Sequence, residues 1–341
     1  DLYITGESTS GTTINMANNG EVSNLTMSNC VIDGENAPGR NAWRGKHLSQ
    51  TMTMTGCEIK DSLGWSVFDM GANALPSATS PPLTHVTFSN NHFHHLNGSI
   101  SVRGHTTPTA LVTITGNTWD HIGDGSSVAQ NWACIEVNKA VSVVITGNSC
   151  SDVLPGNWGE GQAFQLWHID DVDVSNNTIL NCWQGIWFAN PAGSHAAPTG
   201  SISNNTFDGI TDKAFFTQNP FVGGGLVNAE NNWWGHCNGP SGDGPGVGAV
   251  VTGDVDFTPW LAGPAKLVPS NYGSISEAVV ASCAGDTIMV DAAAYNAANP
   301  GETLLFGADM AVSDLTIRSS DPNTKVQVTG GVQFSNTGTI D

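Results

Sequence analysis

The sequence is poor in positive charge and has no long apolar run. Only 10 of its 341 residues are lysine or arginine, against 30 aspartates and glutamates, so the formal net charge is −20. A chain this acidic has little with which to neutralise phosphates, which argues against a nucleic-acid-binding or anionic-membrane-binding protein. The absence of a run of about 18 apolar residues argues against a membrane-spanning helix. The acidity fits solubility in an extracellular setting or, alternatively, attraction of cations such as Ca2+.

Cysteine motifs are missing as well. The seven cysteines form no Cys-x-x-Cys pair and no Cys/His cluster with zinc spacing, and an odd count in so long a chain does not predict a disulfide scaffold. Most of them are expected to be small core residues. Lysine, glutamate and leucine are scarce, whereas glycine (40 residues), asparagine, threonine and serine are abundant. This composition favours many short strands and turns over helices.

The sequence contains a repeated motif. In one copy a β-branched strand at residues 112–114 is followed by Gly116-Asn117 and then by Trp119. Eight copies align at spacings of 26 to 34 residues, and the residue before the turn position is always Gly or Asn, the types that best tolerate left-handed backbone. The turn position itself is occupied, in chain order, by Cys30, Cys57, Asn91, Asn117, Asn148, Asn177, Asn205 and Asn232.

This spacing predicts an all-β solenoid with one coil of a parallel β-helix per copy. Each coil buries its apolar face only by stacking on its neighbours, and strands about 4.8 Å apart bring equivalent residues into ladders. The asparagines of the turn column are therefore expected to form an amide ladder that satisfies its own turn. Cys30 and Cys57 share that column on successive coils, at a separation that suits either a disulfide or a reduced pair.

The asparagine-ladder turn resembles the tight turn in the coils of the right-handed parallel β-helix proteins of the pectin-lyase-like superfamily. The resemblance covers roughly residues 20–262 and includes Asn231-Asn232-Trp233-Trp234-Gly235 and Pro259-Trp260-Leu261, similar to the closing element of many bacterial β-helix domains. It implies a right-handed parallel β-helix of about eight to nine coils at residues 1–263, with a closing block at 228–262. It implies no single activity, since that superfamily contains lyases, hydrolases, epimerases, phage spikes and surface proteins.

Residues 264–341 are expected to begin a second β-helix. Residues 274–283 form an amphipathic helical pattern with Ser274 as a plausible N-cap, and a strand pattern at 285–290 follows. This order resembles the N-terminal cap that opens a β-helix. Residues 314–317 (Asp-Leu-Thr-Ile) also resemble residues 1–4 (Asp-Leu-Tyr-Ile), at an offset of 313. We expect a tandem array, the alternative being that all first coils look alike.

The outward face of the third strand of each coil is the saccharide groove in the enzymes of that superfamily. Strand alternation is expected to present Trp167 and Trp187 there on adjacent coils, with Phe216 next. Aromatic rings stack on sugar rings, and amides bond sugar hydroxyls. The predicted carbohydrate-binding residues are Asn138, Gln165, Trp167, Trp187, Phe216 and Gln218. Packing under a neighbouring loop and contact with another subunit are the alternatives for the aromatic residues.

Catalysis on this face is a competing hypothesis. A polysaccharide lyase needs a group that neutralises a uronate, often Ca2+ or arginine, and a base; the candidates are Arg103, His105, Glu136 and His168. A glycoside hydrolase needs two carboxylates at a defined separation, but Glu136 and Asp69 are expected two coils apart, about 10 Å. The Gly-His-Gly and Arg-Ile-Lys motifs of polygalacturonases are absent. No catalytic set is complete.

The run His92-Phe93-His94-His95 invites a metal site. His92 and His94 would share a strand face, but neither a carboxylate nor a cysteine accompanies them in the run. We therefore predict no metal site there.

The sequence thus predicts an extracellular tandem-repeat β-helix protein of a cell surface or filament, structural or adhesive, with a glycan-binding face. Its expected partners are a polysaccharide or glycan and further copies of itself, associating end to end or through neighbouring repeats. The alternative is a secreted polysaccharide lyase or glycoside hydrolase acting on an acidic polysaccharide, with Ca2+ as the candidate cofactor. Neither nucleic acid nor a membrane span is expected.

Overall fold

A computed structural model describes a large part of the chain in two compact units. Unit 1 comprises residues 1–235 and 239–261, and unit 2 comprises residues 236–238 and 262–341. The described residues are 2–5, 12–15, 22–38, 41–45, 48–63, 68–70, 83–98, 100–103, 108–123, 133–156, 161–190, 193–262, 266–269, 272–280, 282–283, 286–298, 304–306, 315–321, 325–328 and 332–334.

Unit 1 consists of short strands. In chain order they are β1 (Leu2–Thr5), β2 (Thr12–Asn15), β3 (Val22–Ser28), β4 (Cys30–Pro38), β5 (Asn41–Gly45), β6 (Leu48–Thr55), β7 (Glu58–Leu63), β8 (Phe68–Met70), β9 (Leu83–Ser89), β10 (His92–Leu96), β11 (Ile100–Arg103), β12 (Thr109–Thr115), β13 (Thr118–Ile122), β14 (Ile135–Thr146), β15 (Ser149–Ser151), β16 (Gln162–Ser175), β17 (Thr178–Leu180), β18 (Gln184–Ala189), β19 (Thr199–Ser203), β20 (Thr206–Asp208), β21 (Phe215–Thr217), β22 (Val227–Asn228), β23 (Pro240–Gly242), β24 (Gly248–Thr252) and β25 (Val255–Asp256).

These strands form a parallel β-solenoid, as the sequence predicts, with about seven turns rather than the expected eight to nine. An 8-stranded sheet stacks the strands that follow the Asn turn, in the order β1-β4-β7-β10-β13-β15-β17-β20. A 15-stranded sheet holds the third strands together with the strands that precede the turn, because β14 and β16 each run through both positions. The strand pairings among the described residues are all parallel, and each joins one coil to the next.

The corner at the Asn turn carries left-handed backbone at the predicted column. Every residue there is Gly or Asn with φ near +60°, for example Asn90 (53°), Gly116 (65°) and Asn176 (57°). Residues with a side chain pay a steric cost in this region, which Gly avoids and Asn tolerates. The local sequence therefore fixes where every coil bends.

The asparagine ladder is confirmed and continuous from Asn91 to Asn232. From Asn117 onward, the Oδ1 atom of each asparagine accepts hydrogen bonds from both the backbone N–H and the Nδ2 group of the preceding one, at 2.9–3.0 Å. The Nδ2 groups also donate to backbone carbonyls, as Asn148 does to Ile114 at 2.9 Å. The six side chains are buried, and the ladder leaves their polar atoms paired.

The interior is apolar and contains stacked aromatic rings. Phe93 lies over Trp119 with ring centroids 5.0 Å apart, and Phe207 lies over Trp234 at 4.8 Å. Gly239 in the predicted closing block has φ +84°, and a Cβ there would come within 2.5 Å of the Trp260 ring, so only glycine fits. The stacked rings follow from the column of apolar residues two positions after each turn.

The cysteines give a correction. Cys30 and Cys57 are buried free thiols, so of the two arrangements left open for this pair the structure has the reduced one. The backbone N–H of Cys30 donates to the Cys57 Sγ atom at 3.4 Å, and burial raises the pKa of the Cys57 thiol. A disulfide joins Cys237 and Cys283 within unit 2, with Cα atoms 6.2 Å apart, and no motif in the sequence predicts this bond.

Unit 2 has its own small core. It contains α1 (Ile275–Val280), α2 (Ala292–Ala298), β26 (Lys266–Val268), β27 (Thr287–Val290), β28 (Leu304–Phe306), β29 (Thr316–Ser319) and β30 (Val332–Phe334). Strands β26, β27 and β29 form a parallel sheet over buried Ile275, Val279 and Tyr295. Ser274 caps α1 as predicted, since its Oγ atom accepts the Glu277 N–H at 3.1 Å. Neither helix has the length and hydropathy required to cross a bilayer, within the part of the chain that is described.

Candidate functional site

The third strands bring the predicted groove residues into two outward columns. One column contains Ser101, Glu136, Gln165, Trp187 and Phe216 on β11, β14, β16, β18 and β21. The other contains Arg103, Asn138, Trp167 and Ala189. The inward residues between them are buried, which confirms the predicted register of these strands.

An aromatic cluster forms the open part of this face. The rings of Trp187 and Phe216 stack with centroids 5.5 Å apart and planes 10° from parallel, and Trp167 meets Trp187 edge-on at 5.8 Å. All three side chains are partly exposed. The Nζ atom of Lys213 lies 5.4 Å from the Phe216 ring centroid, within cation–π range. Trp167, Trp187 and Phe216 are hereafter called the aromatic platform.

Polar groups beside the platform lack partners. The Nε1 atoms of Trp167 and Trp187 are buried without a hydrogen-bond partner among the described residues. The same holds for both amide atoms of Gln165 and for the Oδ1 atom of Asn138. Buried polar groups without partners cost free energy, so such a concentration on one face calls for an explanation.

Two residues expected to face solvent are covered. Glu136 is 3 % exposed and Gln165 is fully buried, although both point away from the core. Ser101 donates from Oγ to the Glu136 Oε2 atom at 2.9 Å. Strand alternation predicts the direction of a side chain but not what lies over it, and other parts of the chain cover this end of the face. Gln218, at the opposite end, is exposed as expected.

The catalytic candidates do not converge among the described residues. Arg103 lies opposite Asn138 in the strand register, but its side chain and the whole of His105 are outside the described residues. Glu136 lies two coils from Asp69, with Ser101 between them, as the spacing predicts. Among the described residues, the arrangement offers groups for ring stacking and hydrogen bonding.

His168 occupies a corner rather than the groove floor. Its backbone is left-handed (φ 54°), and its ring stacks on His195 with centroids 3.9 Å apart. Burial, and then the positive charges of His195 and Lys139, lower the pKa of His168. Neither of its ring nitrogens has a hydrogen-bond partner among the described residues. A neutral imidazole with free nitrogens is chemically available, but no described candidate from the catalytic set contacts it.

Comparison of the chain with protein-family models, curated proteins and solved structures finds no match. The fold and the geometry of the site therefore carry the functional argument by themselves.

Carboxylates surround the histidine run, contrary to the expectation from the sequence. His94 Nε2 lies 3.0 Å from Glu58 Oε1, and His92 Nε2 lies 2.6 Å from Asp120 Oδ2, so carboxylates do accompany these histidines. They come from the coils on either side. The column alignment could have found them, because Glu58 aligns with His92 and Asp120 aligns with His94.

Proposed function

We propose that this chain is a structural, extracellular β-solenoid of a cell surface or filament and that its aromatic platform binds a polysaccharide. The observation that carries the proposal is the stacked pair of Trp187 and Phe216, partly exposed on adjacent coils. Sugar rings have apolar faces that pack on such aromatic surfaces. Trp167, Trp187 and Phe216 lie on three successive coils, so neighbouring sugars of one chain could contact different rings of the platform.

The unpaired polar atoms support the same proposal. Hydroxyl groups of a bound sugar both donate and accept. They would supply the partners that the Trp167 and Trp187 N–H groups and the Gln165 amide do not have among the described residues. Access to these buried atoms requires that the chain covering them gives way. Binding would then include a small local rearrangement as well as stacking on the exposed rings.

Affinity measurements with polysaccharides test the proposal. The full chain is titrated by calorimetry with neutral polysaccharides and polyuronates, with and without Ca2+. Trp187→Ala should weaken binding at least about tenfold, that is about 1.4 kcal/mol, whereas Trp183→Ala, which removes a partly exposed tryptophan outside the platform, should leave it unchanged. Equal binding by the wild type and Trp187→Ala would refute the platform as the binding surface.

The same mixtures also test the catalytic alternative. With each polyuronate, the absorbance of unsaturated products is followed over time to detect lyase activity. The concentration of reducing ends is followed in parallel to detect hydrolysis. Turnover that disappears in Glu136→Ala would favour a lyase or hydrolase over the structural role.

Sedimentation velocity of the full chain tests self-association. A single species at all concentrations would count against assembly into a filament.

A further inference from the structure

We infer that a second site, on the 8-stranded sheet of unit 1, binds a divalent transition-metal ion of the zinc class. The ligands are His94, His95 and Asp120. Each offers one ligand atom, and these three atoms lie within 4.8 Å of one another. None of these residues belongs to the aromatic platform, so the inference is independent of the proposed glycan binding.

The solenoid itself brings the ligands together. His94 on β10 aligns with Asp120 on β13 of the next coil. His95 follows His94 at a corner with left-handed backbone (φ 53°), and this turns its ring back beside that of His94. The two Nδ1 atoms are 2.9 Å apart. Two histidine nitrogens and one carboxylate are the type of donor set that zinc accepts when one position stays open for water.

A carboxylate orients one of the imidazoles. Glu58 Oε1 accepts from His94 Nε2 at 3.0 Å. A proton held on Nε2 leaves the Nδ1 lone pair of His94 free, and this is the nitrogen that faces His95. The arrangement is a carboxylate–histidine–metal relay in which Glu58 acts as a positioning residue.

Two histidines hold the Asp120 carboxylate in place. His92 Nε2 lies 2.6 Å from Oδ2, and His121 Nδ1 lies 2.8 Å from Oδ1. Each carboxylate oxygen keeps a further lone pair, so the two bonds fix the carboxylate without exhausting its capacity to bind a metal.

The local charge favours a cation. Lys60 Nζ lies 3.8 Å from Asp33 Oδ2 and 3.9 Å from Glu58 Oε1, so its ammonium offsets one of the three carboxylates of Asp33, Glu58 and Asp120. The formal charges of these four groups, three negative and one positive, sum to −2. Nitrogen donors select transition metals over Ca2+ and Mg2+, which prefer sets made of oxygen alone.

Only small side-chain adjustments are needed. Zinc bonds of about 2.1 Å in a tetrahedron bring ligand atoms to about 3.4 Å from one another. The two Nδ1 atoms would move apart by about 0.5 Å, and the widest pair would close by at most about 1.4 Å through side-chain rotation. His95 is exposed and Asp120 is only half-buried, so such rotations meet little resistance.

Titration of the full chain with ZnCl2 under non-reducing conditions tests the inference. One ion should bind per chain, and His94→Gln and His95→Gln should each weaken binding at least about tenfold, with a similar loss in Glu58→Gln through the outer shell. His85→Gln, an exposed histidine on the other sheet, is the matched control. His236→Gln controls for the cluster of His236, Cys237 and Cys283, whose two sulfurs are tied in the disulfide.

The electron paramagnetic resonance spectrum of the Cu2+-loaded wild type provides a readout that does not depend on variants. Hyperfine splitting from two imidazole nitrogens is expected, falling to one in His95→Gln. No zinc binding by the wild type, unchanged affinity in both His94→Gln and His95→Gln, or a loss confined to His236→Gln would each overturn the inference.

Discussion

Strands β18 and β21 stack aromatic rings on both of their faces. Phe188 and Phe215 point inward with centroids 5.7 Å apart, and both are buried. Trp187 and Phe216 point outward at 5.5 Å and are partly exposed. Packing of the core accounts for the inner pair, because the interior of the solenoid must be filled by closely packed apolar side chains. They do not explain the outer pair, since nothing about folding requires a tryptophan in contact with water. The outer pair is therefore where function is to be sought.

Removal of an inner ring should have the largest effect. Phe215→Ala is expected to lower the free energy of unfolding by about 3–5 kcal/mol, because it leaves a cavity between two coils that stacking holds in place. Chemical denaturation followed by circular dichroism measures the loss. Phe215→Leu keeps most of the volume and should cost about 1.5 kcal/mol or less. A cost for Phe215→Ala no larger than that of Phe216→Ala would remove the distinction between the two faces.

Loss of one ladder asparagine should rank second. Asn148→Ala takes away the acceptor of the Asn117 N–H and Nδ2 groups, both buried, and should cost about 2–3 kcal/mol. Asn181→Gly is the matched control, since Asn181 is an exposed corner residue with φ 50° and glycine tolerates that backbone. Denaturation midpoints measure both. A similar loss of stability in the two variants would mean that the hydrogen bonds of the amide ladder do not stabilise the fold beyond the turn conformation itself.

The ladder and the inner rings are also what sequence alone could predict. Asn148 recurs because every coil must bend and pair its polar groups at the same place, and Phe215 follows from simple alternation. The burial of Glu136 and Gln165 could not be predicted, because strand alternation gives the direction of a side chain but not what covers it. The disulfide between Cys237 and Cys283 could not be predicted from the sequence either, since no motif links these two residues, which are 46 positions apart. The carboxylates beside His94 were predictable in principle, because one aligned column contains Asp120.

The stability of the fold should depend on pH through His168, which lies at a corner beside the outer face. The pKa of His168 is lowered, so the unfolded chain takes up a proton near pH 6.5 while the folded chain remains neutral. The unfolded state then binds more protons, and stability falls as the pH drops below about 6.5. His168→Asn, which keeps a residue suited to left-handed backbone, should flatten this part of the profile. Superimposable profiles of the denaturation midpoint for the two proteins would show that burial of His168 has no energetic consequence.

Removal of the outer ring should have the smallest effect on stability and the most informative one. Trp187→Ala gives up one stacked pair and some partly exposed surface, which should cost about 1.5 kcal/mol or less. It also removes a buried N–H that has no partner among the described residues, and this offsets part of the loss. A cost approaching that of Phe215→Ala would mean that the outer stack supports the solenoid, and its exposure would no longer need a ligand. A small cost combined with lost polysaccharide binding would separate the two faces of the same strands, one for folding and the other for recognition.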